Sequence, residues 1–204
     1  MGLFDDLKRQ AQSFINGSVN AAVNSAAQNM PATAPKSAQV KAVTLSALPQ
    51  NAAQMREAPE FSQTDPFSVA AFAVAAFARY AASREDGKEM INFLKGPEPL
   101  TPREIQFIND RFMDGKDYIL RSYLGGTSPD NSYTPAVPYT VEITEYANSR
   151  ENAGYVRLYL KSSGADSPRP LTFRQKPSTG EWFLWEFEGI LAGIRTPKAE
   201  DKWA

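Results

Sequence analysis

The chain has 204 residues, 42% of them hydrophobic, and its 22 Lys and Arg against 23 Asp and Glu leave a net charge of −1. That is enough apolar material for one domain with additions, or for two small ones, and it offers no bulk electrostatic attraction for nucleic acid. Cysteine and histidine are both absent, which removes disulfides, thiolate chemistry, Ser-His-Asp and Cys-His nucleophilic sites and the usual zinc ligand sets.

Residues 1–27 read as one amphipathic helix. Leu3, Phe4, Leu7, Ala11, Phe14 and Ile15 recur at three- and four-residue steps, with Asp5, Asp6, Lys8, Arg9 and Gln12 opposite. Such a stripe packs on its own domain, on a second copy, on a protein partner or on a membrane surface. The polar face is not rich in Lys or Arg, as a helix on anionic lipid usually is. Gly2 suggests myristoylation, but Asp6 stands where that motif needs Ser or Thr. No basic start, apolar run and small-residue cleavage site combine into a signal peptide, so the expected location is cytoplasmic, with peripheral membrane contact through this helix as an option.

Residues 28–41 are rich in Ala, Pro, Ser and polar groups and predict a flexible linker. A single domain over 42–204 follows, with helices across 42–115. Pro49 to Pro59 allows one short helix. The next segment, D-P-F-S-V-A-A-F-A-V-A-A-F-A-R-Y-A-A-S from Asp65, organises the rest. Asp65 suits an N-cap and Pro66 the first helical position. Phe67, Val69, Phe72, Val74, Phe77 and Tyr80 fall on more than one side, the mark of a helix buried all round. The run is shorter than the ~20 residues a bilayer needs. Ser83 to Lys95 predicts another helix, with Ser83 and Asp86 resembling a capping box. Thr101-Pro102-Arg103-Glu104 is a stronger start signal for a helix reaching towards Gly115.

Residues 116–138 hold Gly125, Gly126, Pro129, Asp130, Asn131, Pro135 and Pro138 and predict a long loop. Its Gly-Gly pair lacks the spacing and lysine of a phosphate loop. Residues 139–194 then read as four strands. Tyr139, Val141 and Ile143 alternate on the first, Val156, Leu158 and Leu160 on the second, and Leu171 and Phe173 on the third. W-F-L-W-E-F is apolar on both sides, with Trp182 and Leu184 facing one way and Phe183, Trp185 and Phe187 the other. Short connections favour an antiparallel meander. A tail, 195–204, ends near Trp203. The predicted fold is α+β: a helical N-terminal half packed on a four-stranded antiparallel sheet.

The chemistry left to such a chain rests on carboxylates, Lys, Arg, Tyr, Ser or Thr. Asp110 and Asp114 share a predicted helix face, but such a pair is ordinarily solvated, and no catalytic residue is assigned. Asp130, Asn131 and Ser132 lack the spaced ligands of a calcium loop, and no metal or other cofactor is expected. Asp166 and Arg169 lie in the turn S-S-G-A-D-S-P-R and can pair there; Arg169 with Arg121 can otherwise hold an anion or peptide. Trp182, Trp185, Tyr133 and Tyr155 can line a pocket or fill a core.

The start M-G-L-F-D-D-L, F-L-K-G-P-E-P-L-T at 93–101, D-R-F-M at 110–113, R-S-Y-L-G-G-T-S-P-D-N-S-Y-T-P at 121–135, G-A-D-S-P-R at 164–169, W-F-L-W-E at 182–186 and the end P-K-A-E-D-K-W-A resemble a family of uncharacterised bacterial proteins grouped as a domain of unknown function. That resemblance implies no activity. The element order, helices and then an antiparallel sheet with a Trp-rich last strand, is also similar to the cone-shaped nuclear-transport-factor-like folds, which host enzymes and binding modules alike.

Two functions are expected from this reading. The first is a non-enzymatic interaction or adaptor module, with Leu3, Phe4, Leu7, Phe14 and Ile15 contacting a protein partner, a second copy or a membrane surface. The second is a small-molecule-binding protein or carboxylate-based enzyme, with a pocket between sheet and helices. Arg121, Tyr133, Asp166, Arg169 and Trp185 are the candidate binding residues for the folded part.

Overall fold

The computed structural model describes residues 38–203. The predicted helix 1–27, with Leu3, Phe4, Leu7, Phe14 and Ile15, and residues 28–37 of the predicted linker lie outside the described residues. The rest is α+β, with an antiparallel sheet of five strands in the order β1-β2-β3-β4-β5. The strands are β1 (Gln39–Leu45), β2 (Tyr139–Glu145), β3 (Tyr155–Leu160), β4 (Arg169–Gln175) and β5 (Trp182–Glu186). Between β1 and β2 come α1 (Ala52–Glu57), α2 (Pro66–Ala82), α3 (Arg84–Lys95), α4 (Pro102–Arg111) and the single turn α5 (Tyr118–Arg121).

The fifth strand corrects the expected four. Gln39–Leu45 pairs along its whole length with β2, from Gln39 opposite Glu145 to Leu45 opposite Tyr139. The linker therefore ends before Gln39, and the helical stretch begins after β1 rather than at 42. Only Val43 and Leu45 of this strand are buried. Lys41, in phase with them, bonds Asp65 at 2.6 Å, and Val40, on the opposite phase, is 60% exposed. With two apolar residues in phase out of seven, β1 is held mainly by its ladder to β2, and such a strand leaves little period-2 signal.

The central helix is as its pattern predicts. Asp65 caps α2 by accepting from the Phe67 N–H at 3.0 Å, and Pro66 opens it. Phe72, Val74 and Phe77 are fully buried although they point to different sides. One side of α2 meets α3, and the other meets β1, β2, β3 and β5. Facing it are Val141, Ile143, Val156, Leu158, Leu160, Leu171 and Phe173, all without solvent exposure. Register places these apolar residues opposite one another: Ile143 with Leu160, Val156 with Phe173, Leu158 with Leu171, Phe173 with Leu184. Gly87 lets α3 lie against α2, because a Cβ there would sit 2.2 Å from the Tyr80 Cα.

The two predicted helix starts behave differently. Thr101 and Glu104 form a reciprocal capping box on α4. Ser83 makes no side-chain cap bond, and the Asp86 carboxylate three residues on is engaged by the Arg79 guanidinium. Helix α4 stops at Arg111, and Asp114 follows at φ 60°, so Asp110 and Asp114 do not share a helix face as predicted. The loop 116–138 is irregular apart from α5 and one 3-10 turn at Pro129–Asn131. No helix among the described residues is long and apolar enough to cross a membrane.

Candidate functional site

The sequence candidates separate into those spent on the fold and one that is not. Tyr133 is fully buried. It stacks on Tyr118 at 5.6 Å, and its hydroxyl donates to the Arg195 carbonyl at 2.7 Å. Burial first, and then the neighbouring Tyr118, push its phenol above the ordinary range. Asp166 pairs with Arg195, not with Arg169. Arg169 donates from Nη2 to the Gly193 carbonyl at 2.9 Å. These three residues tie the C-terminal tail across the two loops before it. Arg121 bonds Asp117 one helical turn away at 2.5 Å. It edges a shallow groove of about 260 Å³ floored by Leu48, Ala75, Ala78 and Ala82, and the groove includes none of the other three candidates. Tyr123, fully buried behind them, donates to the Ile190 carbonyl at 2.9 Å, and burial pushes its phenol far upward.

Trp185 stands apart. Alternation along β5 turns Trp182 and Leu184 into the core and leaves Phe183 and Trp185 on the outer face, both half-buried. Phe183 is covered from outside by Gly96, whose φ of 66° lets the α3–α4 turn lie against the ring; a Cβ at Gly96 would stand 2.3 Å from it. Trp185 has no such cover. It is a shared wall of three clefts of about 300, 340 and 510 Å³.

The 340 and 510 Å³ clefts lie beside the α3–α4 turn. Their common lining is Lys95, Glu98 and Trp185. Lys95 is 7% exposed and bonds Glu104 at 2.9 Å. Burial acts to raise the Glu104 carboxyl, but the Thr101 N–H, the Lys95 ammonium and the Thr101 hydroxyl outweigh it and hold the group below its ordinary value. Arg174 lies 5.0 Å from the Trp185 ring and 5.8 Å from Tyr155, a cation–π arrangement that fixes a long side chain between two aromatic planes.

The 300 Å³ cleft lies on the outer face of the sheet itself. Its floor is Tyr155, Arg157 and Tyr159 of β3, Thr172 of β4, and Trp185 and Glu186 of β5. The β2–β3 loop supplies Asn148, Ser149, Glu151 and Asn152 as a side wall. Arg157 reaches Glu186 at 3.3 Å, and the Thr172 hydroxyl donates to the same carboxylate at 2.7 Å. Tyr155 meets Trp185 edge-on at 5.9 Å, and Tyr159 meets Tyr146 at 4.9 Å. The sequence pattern singles out Trp185 and Tyr155 but passes over Arg157, Tyr159 and Arg174. Their signal was the alternation Y-V-R-L-Y-L, in which Tyr155, Arg157 and Tyr159 take every second place opposite Val156, Leu158 and Leu160.

A family model described as a domain of unknown function, DUF6935, matches residues 47–198. The chain belongs to this family. The match takes in α1 to α5, β2 to β5 and all of the Trp185 clefts, and leaves out β1. No curated protein and no solved structure matches the chain. Among the described residues of this DUF6935 chain, no group of three or more carboxylates is placed to hold a metal ion.

Proposed function

We propose that the chain is a non-enzymatic binding module whose recognition surface is the outer face of the sheet around Trp185. One observation carries this reading. The space between sheet and helices is filled by side chains, whereas Trp185 is half-exposed and walls three clefts at once. An aromatic ring with a wet edge and a fixed guanidinium beside it is the kind of anchor that recognition surfaces use. The absence of His and Cys favours binding over catalysis.

Within the same proposal, residues 1–27 act as an amphipathic helix for a protein partner, a second copy or a membrane surface, and the protein works in the bacterial cytoplasm or peripherally at the membrane. Opposite Thr172 and Phe173 the register skips Trp185, which makes β5 the bulged strand, and such a bend supports a sheet wrapped around α2 in the manner of the nuclear-transport-factor-like cones.

The test compares wild type and Trp185→Ala as full chains. Partners cross-linked in cells are identified, purified and titrated against both. We expect binding about tenfold or more weaker for the variant, the loss of one aromatic anchor. Equal affinity with a folded Trp185→Ala protein overturns the reading. Liposome flotation of the full chain and its Phe14→Asp variant tests the helix separately: flotation lost in the variant supports membrane contact, and no flotation of either chain removes it.

A further inference from the structure

The outer-face cleft has a more specific chemistry than the surface as a whole, and its choice of ligand rests on the proposed function, with that surface as the recognition site. Three features decide what fits. First, the charges on its floor are internally matched: Arg157 faces Glu186 at 3.3 Å, and Thr172 donates to that carboxylate at 2.7 Å. With that cation already paired and the Glu151 carboxylate adding a further negative charge on the loop wall, the cleft does not attract a phosphate. With the chain's net charge of −1, it also lacks the positive field that single-stranded nucleic acid requires.

Second, what is left unspent is polar: the exposed Glu151 carboxylate, which only accepts, and a set of neutral amides and hydroxyls. The loop wall presents the exposed side chains of Asn148 and Asn152, each able to donate and accept at once. The Tyr155 and Tyr159 hydroxyls add two more such groups at the floor. A purely apolar ligand would leave these groups unpaired, at the cost of their hydration.

Third, an aromatic pair stands at each end of the floor, with the Arg174 guanidinium over one face of Trp185 and of Tyr155. Tyr155 with Trp185 forms one end, and Tyr159 with Tyr146 the other. Tyr155 and Tyr159 are four residues apart on one face of β3, which sets the two ends about 13 Å apart at ~3.3 Å per residue. The matching ligand is not an anion, carries many hydroxyls on its edges, presents apolar flat faces and extends over more than one ring.

We infer that this cleft binds a short neutral saccharide, its ring faces against Trp185 and Tyr159 and its hydroxyls bonded by Asn148, Asn152 and the Arg157–Glu186 pair. The cleft volume of about 300 Å³ is at the lower end of the range for small-ligand sites. This suits part of such a chain, with the rest lying along the open sheet.

The experiment uses the full chain, labelled for NMR and titrated with a panel of soluble trisaccharides: cellotriose, maltotriose, xylotriose, mannotriose and chitotriose. We expect at least one to give saturable shifts centred on residues 155–159 and the Trp185 indole, with an affinity insensitive to added salt. Tyr159→Ala, which leaves the three-cleft junction at Trp185 intact, should weaken it about tenfold or more while keeping a folded spectrum. Absence of shifts with the whole panel at millimolar concentration, shifts centred elsewhere, or an affinity that falls steeply with salt each overturns the inference. Failure here together with a Trp185-dependent protein partner leaves the recognition surface standing and removes only the saccharide. Failure of both removes the surface.

Discussion

The two faces of the sheet are made by alternate residues of the same strands, yet they have become different materials. On the inner face, Val156, Leu158 and Leu160 of β3 meet α2 with no solvent exposure. On the outer face, Tyr155, Arg157 and Tyr159 of that strand line an open, polar cleft. A period of two makes this possible, because neighbouring side chains point to opposite sides and can be chosen independently. The inner face is constrained by volume and tolerates no added or missing methylene cheaply. The outer face is constrained by hydrogen bonding and aromatic geometry, and its residues are only half-buried. Stability therefore resides on one side and recognition on the other, so substitutions should divide into two classes.

The sharpest test of the division is Phe77→Ala. Phe77 is fully buried in α2 and packs on Phe187 at 5.0 Å. We expect a loss of about 3–5 kcal/mol, seen as a large fall in the urea midpoint or an unfolded protein. Gly87→Ala comes next: its methyl would meet the Tyr80 backbone at 2.2 Å, so α2 and α3 must separate, at a cost of about 1–3 kcal/mol. An unchanged midpoint for either would mean that the inner face is looser than its burial implies.

The α4 cap belongs to neither face and should show an intermediate effect. Thr101→Ala removes one side of the capping box and should cost about 1 kcal/mol. Glu104 adds a pH signature. Its carboxyl is held below the ordinary value in the folded chain, so its contribution is complete above the unfolded value of about 4.3 and fades as pH falls through the lower folded value. Urea titrations between pH 6 and pH 3 (a window of roughly the carboxylate range) should therefore show a shallower acid loss for Glu104→Gln than for wild type. An effect no larger than that of Thr101→Ala is expected at Trp185→Ala, about 1 kcal/mol, from its edge contact with Tyr155 and the Arg174 cation–π pair. A loss as large as that of Phe77→Ala would show that Trp185 belongs to the core and would break the comparison.

How much of the molecule was legible in the sequence depended on how strongly local signals agree with the fold. Helix α2 was legible at both ends, because Asp65, Pro66 and an apolar run of helical length point the same way. Strands β2 to β4 were legible because the inner-face residues alternate against more polar ones, and β5 because W-F-L-W-E-F is a short aromatic-rich run after a Pro-Gly turn. Strand β1 was not, since Lys41 interrupts its buried phase and its stability comes from a partner strand about a hundred residues away in sequence. The Asp166–Arg169 pair failed for a related reason. The nearer partner in sequence lost to Arg195, brought in by a tail whose course no local pattern records. Of the candidate binding residues, Trp185 was placed opposite Trp182 and Leu184 by alternation, but W-F-L-W-E-F is apolar on both sides and did not tell which side faces out, and its neighbours Arg174 and Tyr159 required knowledge of which strands lie side by side.

The edges of the sheet carry one more consequence. At the β5 end, Gln63 accepts the Trp182 N–H on its carbonyl at 2.7 Å and returns its side-chain amide to the Trp182 carbonyl at 2.5 Å. A foreign strand arriving there must first evict it. At the other end, β1 has no strand beyond it among the described residues. Endless growth of a sheet from molecule to molecule needs two receptive edges, one to give and one to take. With Trp182 of β5 engaged in this way, the edge with no strand beyond it among the described residues is β1, and two copies paired there across a twofold axis would close after two molecules.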